Sequence, residues 1–386
     1  MSNYFSHYCR LISSPEHVAI CCQIQSLSEL LAYLKNLWCC PQLNNDELLS
    51  EINRLNQIPI DLPVVSGSSE VSLAGRWLPY RYQTKGQWVK WLVPVGHATE
   101  PFQDETISRY RQLLLNQIVQ PCTTLAFAQQ AIVAQAQPAG FIFHLSRCGS
   151  TLVSGCLSEL ESTCVFSESP LLTELLLDQQ LSQQQLQVSL RTFINLQAAA
   201  FPQRPHMVIK WNAWDIFYWH LIREMYPDVP VVFLVRDPVE ILASHKKFPG
   251  RHMVGDTLLT QAFPQLHKKD YEVSGLDYPV HVIASLLDEM SAATSGSCVM
   301  DYSQLGSRQI VALCRFFCGE LDNRAERSIN NRLRFHSKHT DQMFANDSVK
   351  KRQVFDSHNL ERINAELGQT YQRLINNNIK AEVTNA

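Results

Sequence analysis

The chain carries little excess charge of either sign: 33 Lys and Arg stand against 36 Asp and Glu, a formal net charge of −3 over 386 residues. A nucleic-acid partner would call for a basic face, so none is expected. No apolar run reaches the ~18–20 residues of a membrane span. The opening stretch MSNYFSHYCRLISSPEHVAICC lacks the charged start and continuous apolar run of a secretory signal, and the expectation is a cytoplasmic protein. The 12 cysteines never fall in a C-x-x-C spacing. Adjacent pairs such as Cys21–Cys22 and singles in apolar settings such as Cys156 and Cys164 read as reduced thiols rather than as a disulfide framework or a zinc site.

The length predicts roughly two domains at about 150 residues each, or one domain with a sizeable extension. Residues 1–135 read as an α+β region of unknown role, and residues 138–386 as a separate α/β domain. In the first region LSELLAYLKNLW and DELLSEINRLN have helical spacing, with Asn45 the expected cap of the second. RWLPYRY and QWVKWLVPV read as strands, and DETISRYRQLLLNQIV returns to a helix. His97 and Glu100 have a metal-ligand look, but beside Pro94 and Gly96 they read as a turn with a solvated acid.

From Gly140 onward, Val- and Ile-rich runs (FIFHL, TCVF, HMVIK, VPVVFLV, SCVMD) alternate with amphipathic stretches. Ser169 is the expected cap of the stretch that starts at Pro170. The alternation predicts an α/β fold: a parallel sheet with helices on both faces and ligands bound beyond the carboxyl ends of the strands.

Two strand–turn–helix segments starting 90 residues apart, FIFHLSRCGSTLVSGCL from Phe141 and VVFLVRDPVEILASH from Val231, carry the chemistry. In the first turn Ser146, Arg147, Cys148, Gly149, Ser150 and Thr151 resemble a P-loop but lack the first glycine and the lysine of a Walker A motif. A glycine for close backbone approach, two hydroxyls at a helix start and one cation suit a phosphate held without an obligatory metal ion. In the second turn Arg236 closes a strand and Ser244 follows 8 residues later on the helix. Two anion cradles in one domain point to a nucleotide phosphorylated at both ends.

This pairing resembles the sulfotransferase family, which transfers sulfuryl groups from 3′-phosphoadenosine 5′-phosphosulfate (PAPS). The resemblance covers roughly residues 138–345. It implies that the first loop holds the 5′-phosphosulfate and that Arg236 and Ser244 hold the 3′-phosphate. Many cytosolic members carry K-x-H after a strand, its histidine acting as general base. Here Lys210 is retained and Asn212 replaces the histidine. The tyrosylprotein branch instead uses a glutamate after the P-loop helix, and Glu168, 21 residues beyond Arg147, matches that placement. The resemblance therefore implies Glu168 as base, Arg147 and Lys210 as charge stabilisers, PAPS as donor and no metal requirement. The acceptor is a small molecule, a saccharide or a protein side chain. Burial would raise the Glu168 carboxyl and nearby cations would lower it, with the net direction open.

His144 reads as a packed strand residue; His245, next to Ser244, is a secondary candidate for facing the cleft on the substrate side. The turn-rich stretch from Phe248 to Leu276 reads as a lid or substrate loop. Arg332, Arg334, His336, Lys338 and His339 form a late basic segment placed to close over the 3′-phosphate or to lie on a solvated face. Two other readings are a P-loop kinase or nucleotide hydrolase with Asp237 on Mg²⁺, and a catalytically inactive nucleotide-binding module.

Overall fold

The computed structural model describes residues 3–61, 71–131, 133–267, 275–294, 297–335 and 351–376. It opens with four helices, Asn3–Ser13, Pro15–Gln23, Leu27–Leu37 and Asn45–Asn56. The cap of the fourth is Asn44, one residue earlier than the sequence suggests. Glu47 lies at the third helical position counted from Asn44 and completes a capping box, while Asn45 is free to accept from Lys35 Nζ at 2.7 Å. Strands β1 (Leu78–Gln83), β2 (Trp88–Leu92) and β3 (Cys122–Thr124) then form an antiparallel sheet in that order. The helical stretch between β2 and β3 is broken into Gln103–Tyr110 and Leu114–Ile118. Asn116 decides the break: its amide donates to Tyr110 O and Val93 O at 2.8 Å each, tying the second helix to the end of the first.

The second sheet has five parallel strands: β4 (Gly140–His144), β5 (Thr163–Ser167), β6 (His206–Lys210), β7 (Val231–Val235) and β8 (Cys298–Asp301). Their spatial order is β5-β6-β4-β7-β8, every neighbouring pair parallel. Alternate side chains go to opposite faces. Ile142, Val232 and Leu234 enter a core with the helices Ser150–Ser158 and Ser307–Cys318. Phe141, Phe143 and Phe233 enter a larger core on the other face. That larger core is continuous with Leu11, Leu34, Trp77 and Tyr110, so the N-terminal region buries its apolar face against the parallel sheet. Near-complete burial on both faces explains why these strands are almost unbroken apolar runs.

The predicted helix at WDIFYWHLIREMY starts as a 3₁₀ turn, Ala213–Tyr218, and continues as the helix Trp219–Met225. Ser169 occupies the position before the helix Pro170–Leu176 but makes no side-chain cap; its hydroxyl accepts from Gln197 Nε2 at 3.2 Å instead. All twelve cysteines are free thiols, most of them buried. Among the described residues no helix is long and apolar enough to cross a membrane.

Candidate functional site

The chain leaves β4 in both directions, to β5 and β6 on one side and to β7 and β8 on the other, which opens a crevice at the carboxyl end of β4. A cleft of about 1320 Å³ lies there, lined by both motif turns.

The first turn is wound tightly. Ser146 and Arg147 adopt left-handed φ values of 67° and 52°, and Gly149 one of 84°. Non-glycine residues in that region are uncommon and cluster at sites where surrounding structure holds them. Here Ser146 N–H donates to His144 Nδ1 at 3.0 Å. Gly149 is required twice over: its φ disfavours a side chain, and a Cβ would come within 2.6 Å of Leu305 and 2.9 Å of Tyr302. Ser150 and Thr151 open the helix Ser150–Ser158, both buried and both lining the cleft. Cys148 lies under the turn, where burial pushes its thiol up to about 12 and leaves it un-ionised. Arg147 turns across the cleft, its Nη2 donating to Phe248 O at 2.6 Å.

In the second turn Arg236 donates through Nε to Glu240 Oε2 at 2.8 Å and through Nη2 to the same oxygen. It stacks on Tyr302 at 3.8 Å and donates through Nη1 to Arg147 O at 3.2 Å. The two turns therefore touch directly. Ser244 lines the cleft, its hydroxyl donating to Glu240 O at 2.8 Å. Asp237 caps the helix Pro238–Lys247 through Val239 N–H at 2.8 Å, and its other oxygen pairs with Arg352 at 2.6 Å.

Glu168 is the first residue beyond β5, with a left-handed φ of 54°. Its N–H donates to Lys210 O at 2.7 Å, continuing the ladder between β5 and β6 for one more residue. Its carboxylate lies 3.1 Å from Lys210 Nζ and 3.5 Å from His144 Nε2. Burial works against its ionisation, but the Lys210 charge and the His144 ring outweigh it and hold the carboxyl well below the usual range. Lys210, fully buried, also reaches Thr151 Oγ1 at 3.5 Å and lies 4.9 Å from the centre of the Phe102 ring. Burial lowers the pKa of His144, so its ring is neutral. Asn212 donates to Thr173 Oγ1 at 2.6 Å and, through its backbone N–H, to Asp215 Oδ2 at 2.8 Å.

The residues singled out in the sequence thus converge. Ser146 to Thr151, Glu168, Arg236 and Ser244 line one cleft, with Lys210 beneath its floor. His245 also lines it, and His144 is buried as expected, yet it touches Glu168 as well. From the loop after Phe248, the 3₁₀ turn Arg251–Met253 brings His252 to the cleft. The late basic segment divides. Arg332 lies against Gly155 on the flank of the helix Ser150–Ser158, and His336, Lys338 and His339 fall outside the described residues. Basic residues near the second turn include Lys246, Lys247 and Lys351, on the cleft, and Arg352, paired with Asp237. The Glu100 carboxylate is half-buried and held by Arg109 and Thr106; burial works against its ionisation, but these bonds outweigh it and lower its pKa to about 2.

Sequence reasoning missed the contribution of the N-terminal region: Arg81, Phe102, Asp104 and Glu105 form part of the cleft wall. It also missed that Trp214 and His252 line the cleft and that Asp215 completes a capping box with Asn212. The N-A-W-D spacing of a capping box was a readable signal for Asp215. Nothing local marks His252.

The fold and the paired turns define an α/β domain with a cleft at its switch point. No family model matches this chain, and no curated protein does. Among solved structures it is similar to a sulfotransferase from Alicyclobacillus acidocaldarius, at 15% identity over 60% of this chain and 95% of that one, with a TM-score of 0.33. It is also similar to sulfotransferase STF9 from Mycobacterium avium, at 10% identity over 67% and 84% of the two chains, with a TM-score of 0.37.

Proposed function

We propose that this protein transfers a sulfuryl group from PAPS to a hydroxyl or amine acceptor. The observation that carries this reading is the meeting of two cradles at one cleft, Ser146–Thr151 on one side and Arg236 with Ser244 on the other, joined by Arg236 Nη1 and Arg147 O at 3.2 Å. A donor phosphorylated at the 5′ and 3′ positions of its ribose has an anion for each. The crowding around Gly149 and the left-handed backbone beside it suit close approach of backbone N–H groups to a phosphosulfate.

Sulfuryl transfer depends mainly on in-line positioning and on cations that take up charge on the leaving phosphate. Lys210 and Arg147 supply that charge. Glu168, ionised, takes the acceptor's proton as the new S–O or S–N bond forms and the bond from sulfur to the donor phosphate breaks, leaving adenosine 3′,5′-bisphosphate. Lys210 weakens Glu168 as a base while the two are paired. Drawing Lys210 towards the phosphosulfate raises the basicity of Glu168 when it is needed.

The test is calorimetry with adenosine 3′,5′-bisphosphate against ATP–Mg²⁺. Tight binding of the bisphosphate alone is expected. Preference for ATP–Mg²⁺ would replace this reading with a kinase or hydrolase, and binding of neither would replace it with an inactive module.

A further inference from the structure

The cleft contains two buried polar side chains that no element of the donor site uses. His252 is 3% exposed and Trp214 is 7% exposed, and both line the cleft. Neither ring nitrogen of His252 and not the indole Nε1 of Trp214 has a hydrogen-bond partner among the described residues. Their rings lie 5.4 Å apart. Buried polar atoms are satisfied in the large majority of cases, so a neighbouring pair left over in a binding cleft calls for a polar ligand atom.

The chemistry of the pair narrows that ligand. Trp214 Nε1 can only donate. Burial, with His144 and Arg147 nearby, pushes the His252 pKa down to about 3, so the ring is neutral and offers one donor and one acceptor. A hydroxyl oxygen can accept from both Trp214 Nε1 and the His252 N–H and keeps its own proton for Glu168. A protonated amine cannot accept from Trp214. Phe248 and Leu258 also line the cleft, 62% and 59% exposed, beside charged residues such as Lys247 and Arg251. Two large apolar side chains this exposed in one cleft offer a surface that the apolar body of a ligand can cover.

We propose that Trp214 and His252 form the acceptor subsite, holding the reacting hydroxyl of an uncharged acceptor whose apolar body rests on Phe248 and Leu258. This rests on the sulfuryl-transfer reading and deepens it: it selects a hydroxyl on an apolar frame over a protonated amine and over a saccharide. The subsite is built by the 3₁₀ turn after β6 and by the loop after the second cradle, outside the motifs that hold the donor.

The experiment uses the full chain with 2-naphthol, methyl glucoside and benzylamine as acceptor probes. Direct binding is followed by ligand-observed NMR, and sulfuryl transfer is measured with PAPS. Binding of 2-naphthol with at least tenfold preference over the other two is expected. In His252→Phe and Trp214→Phe the KM for 2-naphthol should rise about tenfold or more while affinity for adenosine 3′,5′-bisphosphate stays within twofold. His252→Gln, which keeps one donor and one acceptor, should recover part of the loss, and a folded thermal transition in each variant secures the comparison. Benzylamine or methyl glucoside bound as well as 2-naphthol, no binding of 2-naphthol, or unchanged KM in the variants would each overturn the subsite. Failure of the wild type to bind adenosine 3′,5′-bisphosphate would instead overturn the sulfuryl-transfer reading itself.

Discussion

Lys210 Nζ and Glu168 Oε1 lie 3.1 Å apart at the carboxyl ends of adjacent strands, with the lysine fully buried and the glutamate side chain 23% exposed towards the cleft. A buried lysine needs a counter-charge, and breaking such a pair is far more costly than never having made it. Glu168 is thus bound to the fold through the same contact that sets its chemistry.

Glu168→Gln keeps the side chain's size and removes its ability to take a proton. Turnover should fall by about two to four orders of magnitude. Affinity for adenosine 3′,5′-bisphosphate should stay within a few-fold. Glu168 has a folded pKa held below its ordinary 4.5, so its stabilising contribution is present above that value and is lost as pH falls towards the folded pKa. Thermal melts of the wild type and Glu168→Gln should therefore converge as pH drops below the ordinary carboxylate range, with the wild type the more stable at neutral pH. Near-normal turnover in the variant would leave Glu168 as the partner of Lys210 only.

Arg236→Ala should abolish most of the preference for adenosine 3′,5′-bisphosphate over adenosine 5′-monophosphate. One charge-assisted contact is worth about 1.5–3 kcal/mol, roughly a 10–100-fold loss in affinity. The substitution also removes from the buried Glu240 carboxylate the two nitrogens by which Arg236 holds it. The double variant Arg236→Ala/Glu240→Gln restores stability without restoring the nucleotide preference. Equal affinity of the wild type for both nucleotides would show that Arg236 serves its contacts within the fold and not a 3′-phosphate.

Asp215 offers a stability test independent of activity. Burial raises its pKa to about 7 despite the bonds it accepts from Asn212 and Thr173. A carboxyl raised in the folded state contributes stability that is present below its ordinary pKa and lost as pH rises through the folded value. Asp215→Asn should accordingly melt higher than the wild type at pH 8 and show a smaller advantage at pH 5. The same difference at both pH values would refute the raised pKa.

Activity should survive EDTA. The first loop lacks the Walker lysine, and both oxygens of Asp237 are engaged, one capping a helix and one on Arg352. Loss of activity on chelation, restored by Mg²⁺, would favour the kinase reading.

The alternation of apolar runs and amphipathic stretches determined the parallel sheet, because strands buried on both faces leave little room for polar residues. Local spacing likewise marked both turns that line the cleft, since a cation and hydroxyls at a strand end and the helix after it are close in sequence. What spacing could not carry was the company each residue keeps. The sequence left open whether burial or cations would govern Glu168; only the register of β5 against β6 puts Lys210 and Glu168 side by side and decides it. The pairing of Arg236 with Glu240 is a helical i,i+4 contact that the sequence contains, but its contact with Arg147 O depends on β4 and β7 being neighbours. Phe102, Trp214 and His252 carry no local signature because they reach the cleft from three separate segments, brought together by the shared apolar core and by loop paths that no period in the chain records.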